Sequence, residues 1–288
     1  MNATPDVVEN NPMGTDGFEF IEFAAPDPLQ LDGLFRALGF QPVARHRSKD
    51  VTLYRQGEIN FILNAEPESF AQSFARVHGP SICAIALRVK DARAAAQRAK
   101  SLGADVVGGA ARAMELNIPA IRGIGGSLIY LVDRYEGPDS RISIYDIDFH
   151  PITGAPSHPA GAGLVGVDHL TCVVHPGRLD VWTEFHERLL DFRAFTDPEG
   201  RLLRSPCGKI ALRVREPSAA EDCLDACHGE GIGQVALTTG SLDAAIKALG
   251  AAGIGFREPL GGGGTPRQAI TVPLVGPISF SLVQLDRP

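Results

Sequence analysis

Apolar and acidic positions alternate through Gly17-Phe18-Glu19-Phe20-Ile21-Glu22-Phe23, the two-residue period of a strand with one face in a core. A helix is expected from Pro28 to Leu38, ended by Gly39, because glycine takes a left-handed cap without a Cβ penalty. Two short strands, Val51 to Arg55 and Ile59 to Asn64, flank the turn dipeptide Gln56-Gly57. A link rich in Phe and Ser leads to a strand at Ser81 to Val89, an alanine-rich helix from Asp91 to Leu102 and a closing strand over Ser127 to Val132. From Tyr135 to Ala162 the periodicity gives way to prolines, glycines and serines, with His150 and His158 read as solvated loop residues.

The pattern then starts again. Ala84-Ile85-Ala86-Leu87 and its helix match Gln234-Val235-Ala236-Leu237 and its helix at an offset of 150 residues, and Gly103 coincides with Gly253. The opening strands match at an offset of 149, pairing Glu19 with Asp168 and Phe20 with His169. The closing strands, taken at 150, pair Tyr130 with Phe280 and Leu131 with Ser281. Three matched elements in order indicate a duplicated strand-helix-strands unit, each copy doubled internally. We therefore divide the chain into a flexible tail (1–12), a first half (13–150), a link (151–163) and a second half (164–288). At the three compared positions the first copy is apolar (Phe20, Ala84, Leu131) and the second is polar (His169, Gln234, Ser281). Buried polar side chains without partners cost about 1–3 kcal/mol each, so this cluster is a candidate site.

Composition sets limits. Of 288 residues 44% are hydrophobic, enough for a substantial core, and the net charge of -7 argues against a general nucleic-acid binder. No run of about 18 apolar residues is present to span a bilayer, and the polar first dozen residues do not read as a secretory leader. Five cysteines, thinly spread, fit a reducing cytoplasm better than a disulfide framework. Cys223…Cys227-His228 reads as ordinary helix residues, and Gly261-Gly262-Gly263-Gly264 as a hairpin loop, since no strand-to-helix phosphate motif surrounds it. Leu179, Trp182, Phe185 and Leu189 have the spacing of a core-facing helix stripe, and His175 and His186 beside them read as solvated or capping.

Several stretches carry a family resemblance: Asn11-Pro12-Met13-Gly14, Gly17 to Phe23, His46-Arg47-Ser48-Lys49, Leu53 to Asn60, Ile144-Tyr145-Asp146-Ile147-Asp148-Phe149, Val167-Asp168-His169-Leu170 and Gly229-Glu230-Gly231-Ile232. They resemble the bacterial 4-hydroxyphenylpyruvate dioxygenases over nearly the whole chain. The resemblance implies an α+β vicinal-oxygen-chelate fold, two tandem halves of paired βαβββ modules forming open barrels. It also implies tyrosine catabolism, with Fe(II) held in the second half by two histidines and a glutamate. Carried across residue by residue, His169 matches the first histidine, Gln234 stands in place of the second and Ser281 in place of the glutamate. Neither an amide nor a hydroxyl replaces the charge and donor strength of the lost ligands. Cofactor expectations therefore run from Fe(II) or another divalent metal weakly held to none.

On the strand Lys209 to Glu216, Ala211, Arg213 and Arg215 share one face by the two-residue period. The family carries a proline and a substrate-facing asparagine where the two arginines fall, so this face would look into the barrel and receive a carboxylate or phosphate. The alternative is that both point to solvent from an edge strand. The resemblance further leads one to expect a lid helix after the last ligand strand, where only Leu282 to Pro288 follow Ser281. Two readings stand: an enzyme of this family with altered chemistry on an anionic 2-oxo or aromatic acid, or a non-catalytic protein that binds such an acid. A working dioxygenase with an unusual metal site, a homo-oligomer, and a domain like that of some dehydroshikimate dehydratases with the barrel on a separate chain are further expectations. Substituting Gln234→His and Ser281→Glu together is expected to restore iron binding.

Overall fold

A computed structural model describes residues 10–108, 115–137, 142–218, 224, 228–257 and 268–285. The first sheet is built from two βαβββ modules. One comprises β1 (Thr15–Ala24), α1 (Pro28–Ala37), β2 (Gln41–His46), β3 (Val51–Gln56) and β4 (Ile59–Asn64). The other follows α2 (Phe70–His78) and comprises β5 (Ser81–Val89), α3 (Ala92–Ser101), β6 (Val106–Val107), β7 (Ala120–Arg122) and β8 (Leu128–Val132). With β9 (Phe149–Pro151), after α4 (Ile144–Asp148), the strand order is β6-β7-β8-β5-β1-β4-β3-β2-β9. The second sheet repeats the plan: β10 (Leu164–Val173), α5 (Leu179–Leu190), β11 (Arg193–Asp197), β12 (Gly200–Arg204), β13 (Ala211–Arg215), then β14 (Gly231–Thr239), α6 (Leu242–Ala251), β15 (Gln268–Ile270) and β16 (Ser279–Gln284). Its order is β11-β12-β13-β10-β14-β16-β15.

In each sheet the two module-opening strands pair antiparallel at the centre, β1 with β5 and β10 with β14. One face of each sheet enters a shared core. Phe23, Phe61 and Leu131 from the first sheet and Leu170, Val235 and Phe280 from the second belong to one buried cluster, and Phe61 and Phe280 meet across the halves at 6.1 Å. The opposite face of the first sheet lines a concavity of its own.

The structure corrects several expectations. The Phe- and Ser-rich link is the helix α2, capped by the Ser69 side chain on Gln72 N. The pattern missed it because only Ala71, Phe74 and Ala75 are buried in it, too short a stripe for a periodic signal. The supposed link from Tyr135 contains α4, whose Ser143–Asp146 capping box satisfies two orphan N–H groups. The closing strands are offset by 151 residues rather than 150. Ala86 opposes Tyr130 and Ala236 opposes Ser281, so Ser281 corresponds to Tyr130, and Leu131 lies on the core face. A slip of one residue moves every side chain to the other face. Cys223, Cys227 and Gly261 to Gly264 lie outside the described residues.

His186 is a core residue rather than a solvated or capping one. It is 1% exposed, Nδ1–H donates to the Trp182 carbonyl at 2.7 Å, and the ring packs edge-on against Phe185. Burial pushes its pKa down to about 4. Between that value and the unfolded value near 6.5, only the unfolded chain takes up the proton. Stability from this group is therefore complete above about pH 6.5 and is lost as the pH falls toward 4. The loss is expected to reach about 3 kcal/mol. Urea titrations at pH 4 to 7 should show a slope that His186→Gln flattens; an equally steep slope in that variant would refute the assignment.

Candidate functional site

On the face of the second sheet turned away from the core, strand register sets two rows. In one, His169 of β10 opposes Ala236 of β14, which opposes Ser281 of β16. In the next, Arg213 of β13 neighbours Thr171, which opposes Gln234, which neighbours Ser279. The structure thus brings His169, Gln234 and Ser281 onto one face, and Arg213 shares it. Arg215, two residues on in β13, belongs to the same face by strand alternation. His169 is 6% exposed and Ser281 is fully buried. The β10–β14 ladder shifts register between Val167 and His169, and this irregularity re-aims the neighbouring side chains.

Both imidazole nitrogens of His169 are engaged. Asp168 Oδ2 lies 2.6 Å from Nδ1, and Arg213 Nη1 lies 3.2 Å from Nε2. Because a guanidinium only donates, Nε2 accepts and the Nδ1–H donates to Asp168. The hydrogen bond from His169 holds the Asp168 carboxyl below its ordinary range, aided by the nearby Arg204 and Arg213 charges. A carboxylate behind a histidine is the pairing that orients metal-binding imidazoles. Here the nitrogen that would face the metal meets a guanidinium.

Arg213 is held from three sides. Besides His169, its Nε lies 3.3 Å from Asp197 Oδ1 and its Nη1 lies 3.1 Å from Glu199 Oε2. Asp197 ends β11 and Glu199 sits in the hairpin before β12, so the turn supplies the counter-charges. Asp197 is largely covered, at 15% side-chain exposure, whereas Glu199 is 67% exposed. Gln234 Oε1 accepts from Thr171 Oγ1 at a long 3.4 Å. The Ser281 hydroxyl is buried and has no hydrogen-bond partner among the described residues.

This donor set does not fit Fe(II). Among the described residues no group of three His, Cys, Asp or Glu side chains is placed to hold a metal ion. An amide and a hydroxyl are weak neutral donors, and the one imidazole has its lone pair directed at a fixed positive charge. The importance of Arg213 could be read from strand parity, but its contact with His169 could not. The side chain crosses from the row of Gln234 to the row of His169, and no spacing rule reports that. Asp197 and Glu199 were not foreseen either, since acidic residues in a hairpin ordinarily read as solvated turn formers.

Residues 9–150 match the family model described as "Hydroxyphenylpyruvate dioxygenase, HPPD, N-terminal". The chain is 41% identical to 4-hydroxyphenylpyruvate dioxygenase of Pseudomonas aeruginosa, an alignment covering 99% of this chain and 92% of the relative. It is 40% identical to a 3-dehydroshikimate dehydratase of the same species over 84% of this chain but 40% of that protein. Among solved structures, a fusion of a xylose isomerase-like TIM barrel with a 4-hydroxyphenylpyruvate dioxygenase superposes with a TM-score of 0.78 at 30% identity. That match covers 98% of this chain and 51% of the fusion. The paired βαβββ modules described above are therefore a vicinal-oxygen-chelate fold.

Proposed function

The chain belongs to the 4-hydroxyphenylpyruvate dioxygenase family, and from that membership we propose that its C-terminal half binds an anionic aromatic or 2-oxo acid without the family's iron. The observation that carries this reading is the Arg213 Nη1 contact with His169 Nε2. It sets a permanent cation against the imidazole nitrogen that a metal would need. A guanidinium recognises carboxylates in a planar, two-pronged geometry, so the replacement keeps a positive centre for an acid while losing a metal's redox chemistry. The function proposed is recognition, and His169 serves it by positioning Arg213.

The ligand carboxylate would displace Glu199, the exposed partner of Arg213, while Asp197 stays as the buried one. Arg215 lies on the same face, and the partnerless Ser281 hydroxyl supplies a buried polar group for a ligand oxygen. Thermal-shift titration with 4-hydroxyphenylpyruvate is expected to raise the Tm of the protein as purified. Arg213→Ala/Arg215→Ala should abolish the response. Glu199→Gln should strengthen it, by removing the internal competitor, and affinity should rise about threefold to tenfold. Metal analysis of protein purified without chelator should find iron well below one per chain, and oxygen uptake on the same acid should be absent. Stoichiometric iron together with uptake would overturn the proposal.

A further inference from the structure

The concave face of the first sheet encloses a cavity of about 680 Å³, within the range of sites that hold small organic ligands. Aromatic and aliphatic side chains make most of its wall, among them Phe20, Phe70, Tyr130 and Phe149. Among the described residues that line it, the titratable carboxyl groups are Glu22, Glu66, Glu68, Glu115 and Asp148, and the basic groups are Lys49 and His46. Lys49 is already paired with Glu115 at 2.8 Å. Burial and the Lys49 charge push the His46 pKa down, which favours its neutral form.

Glu22 differs from the other carboxylates of the wall. It lies near the C-terminal end of β1, is 5% exposed, and accepts one hydrogen bond, from Asn64 Nδ2 at 2.6 Å. Among the described residues it has no ion pair within 4 Å, and burial raises its pKa against the smaller pull of the Asn64 hydrogen bond and the Lys49 charge. A buried carboxylate with a single neutral partner is costly unless a positive charge compensates it.

The duplication makes the contrast explicit. Glu22 opposes Ile62 in β4, and the equivalent pair in the second sheet is Thr171 with Arg213. Where the C-terminal face carries a cation beside a small hydroxyl, the N-terminal face carries an anion beside an aliphatic side chain.

We propose that this N-terminal cavity is a second binding site, for a small organic cation with an aromatic or apolar body, whose ammonium group pairs with Glu22. The aromatic walls receive the body and stack against the cationic end. The site is independent of the acid-binding reading of the other half.

Calorimetric titration of the full chain with 2-phenylethylamine, 2-phenylethanol and phenylacetate tests it, since the three differ mainly in charge. The amine is expected to bind at least about tenfold more tightly than the alcohol, with the acid excluded from this site. Glu22→Gln keeps the shape and the Asn64 contact and should weaken the amine about tenfold to a hundredfold, leaving the alcohol unchanged. Ile118→Trp, which adds a ring at the cavity wall, should weaken amine and alcohol together. Arg213→Ala should leave amine binding intact. Amine binding no tighter than that of the alcohol in the wild type, or unaffected by both Glu22→Gln and Ile118→Trp, would overturn the proposal.

Discussion

Substituting Gln234→His and Ser281→Glu is expected to leave metal affinity weak, and adding Arg213→Asn should then raise it by at least about a hundredfold. From the ligand positions alone the first two changes looked sufficient. The geometry around His169 changes that expectation. Its Nε2, the atom any metal would require, is 3.2 Å from the Arg213 guanidinium. Arginine cannot shed its charge at accessible pH. At about 4 Å and an effective dielectric near 20, a divalent ion beside that charge meets roughly 8 kcal/mol of repulsion before any donor is counted. Two added ligands cannot deliver their affinity while that charge remains. Anaerobic Co(II) titration, followed by the d–d absorption of the bound ion, separates the variants without relying on turnover. A double variant binding as tightly as the triple one would show that the Arg213 charge does not oppose a metal at this site. The converse also holds. If the triple variant bound no metal although it folds, the three positions would not converge on one point.

The sequence made the architecture legible because the duplication repeats at nearly constant spacing. Once β1 and β5 are read, β10 and β14 follow from their positions, and the alternation of Leu170, Cys172 and Val174 against His169 and Thr171 separates the core face from the site face. Its failures have distinct physical origins. A strand reports which side a residue faces and says little about where a long side chain ends. The two-residue period left Arg213 open between the pocket and solvent, and it could not show that the tip reaches the neighbouring row, toward Asp197, Glu199 and His169. The closing strands show the opposite error. With β8 and β16 a wrong offset by one residue put Ser281 beside Leu131, and only the ladder partners Ala86 and Ala236 restore the match with Tyr130. Glu22 is visible as an acidic position in an alternating strand, but alternation alone does not report that its face is covered, which leaves it 5% exposed.

Gly125→Ala is expected to destabilise the protein by more than about 3 kcal/mol, the largest effect of any single methyl addition foreseen here. Gly125 lies in the short turn before β8 with φ of +64°, a conformation that costs a non-glycine residue about 1–2 kcal/mol. A Cβ there would fall 1.9 Å from the carbonyl oxygen of Glu230 and 2.7 Å from its carbon. Backbone atoms cannot step aside as a side-chain tip can. Glu230 is anchored as well: its carboxylate accepts from His175 N at 3.0 Å and Trp182 Nε1 at 2.9 Å and pairs with Arg178 at 2.9 Å. Moving that carbonyl therefore strains the start of β14, the strand that carries Gln234 into the site. Gly126→Ala supplies the control, because its φ is +79° yet nothing lies within 4 Å of the added carbon. That variant should show the backbone cost alone, about 1–2 kcal/mol. The difference between the two in urea midpoint, at unchanged slope, isolates the contact between the halves. Equal losses for both would mean that the turn strains the chain by its dihedral angles only, and that the close approach of Gly125 to Glu230 does not hold the two sheets in register.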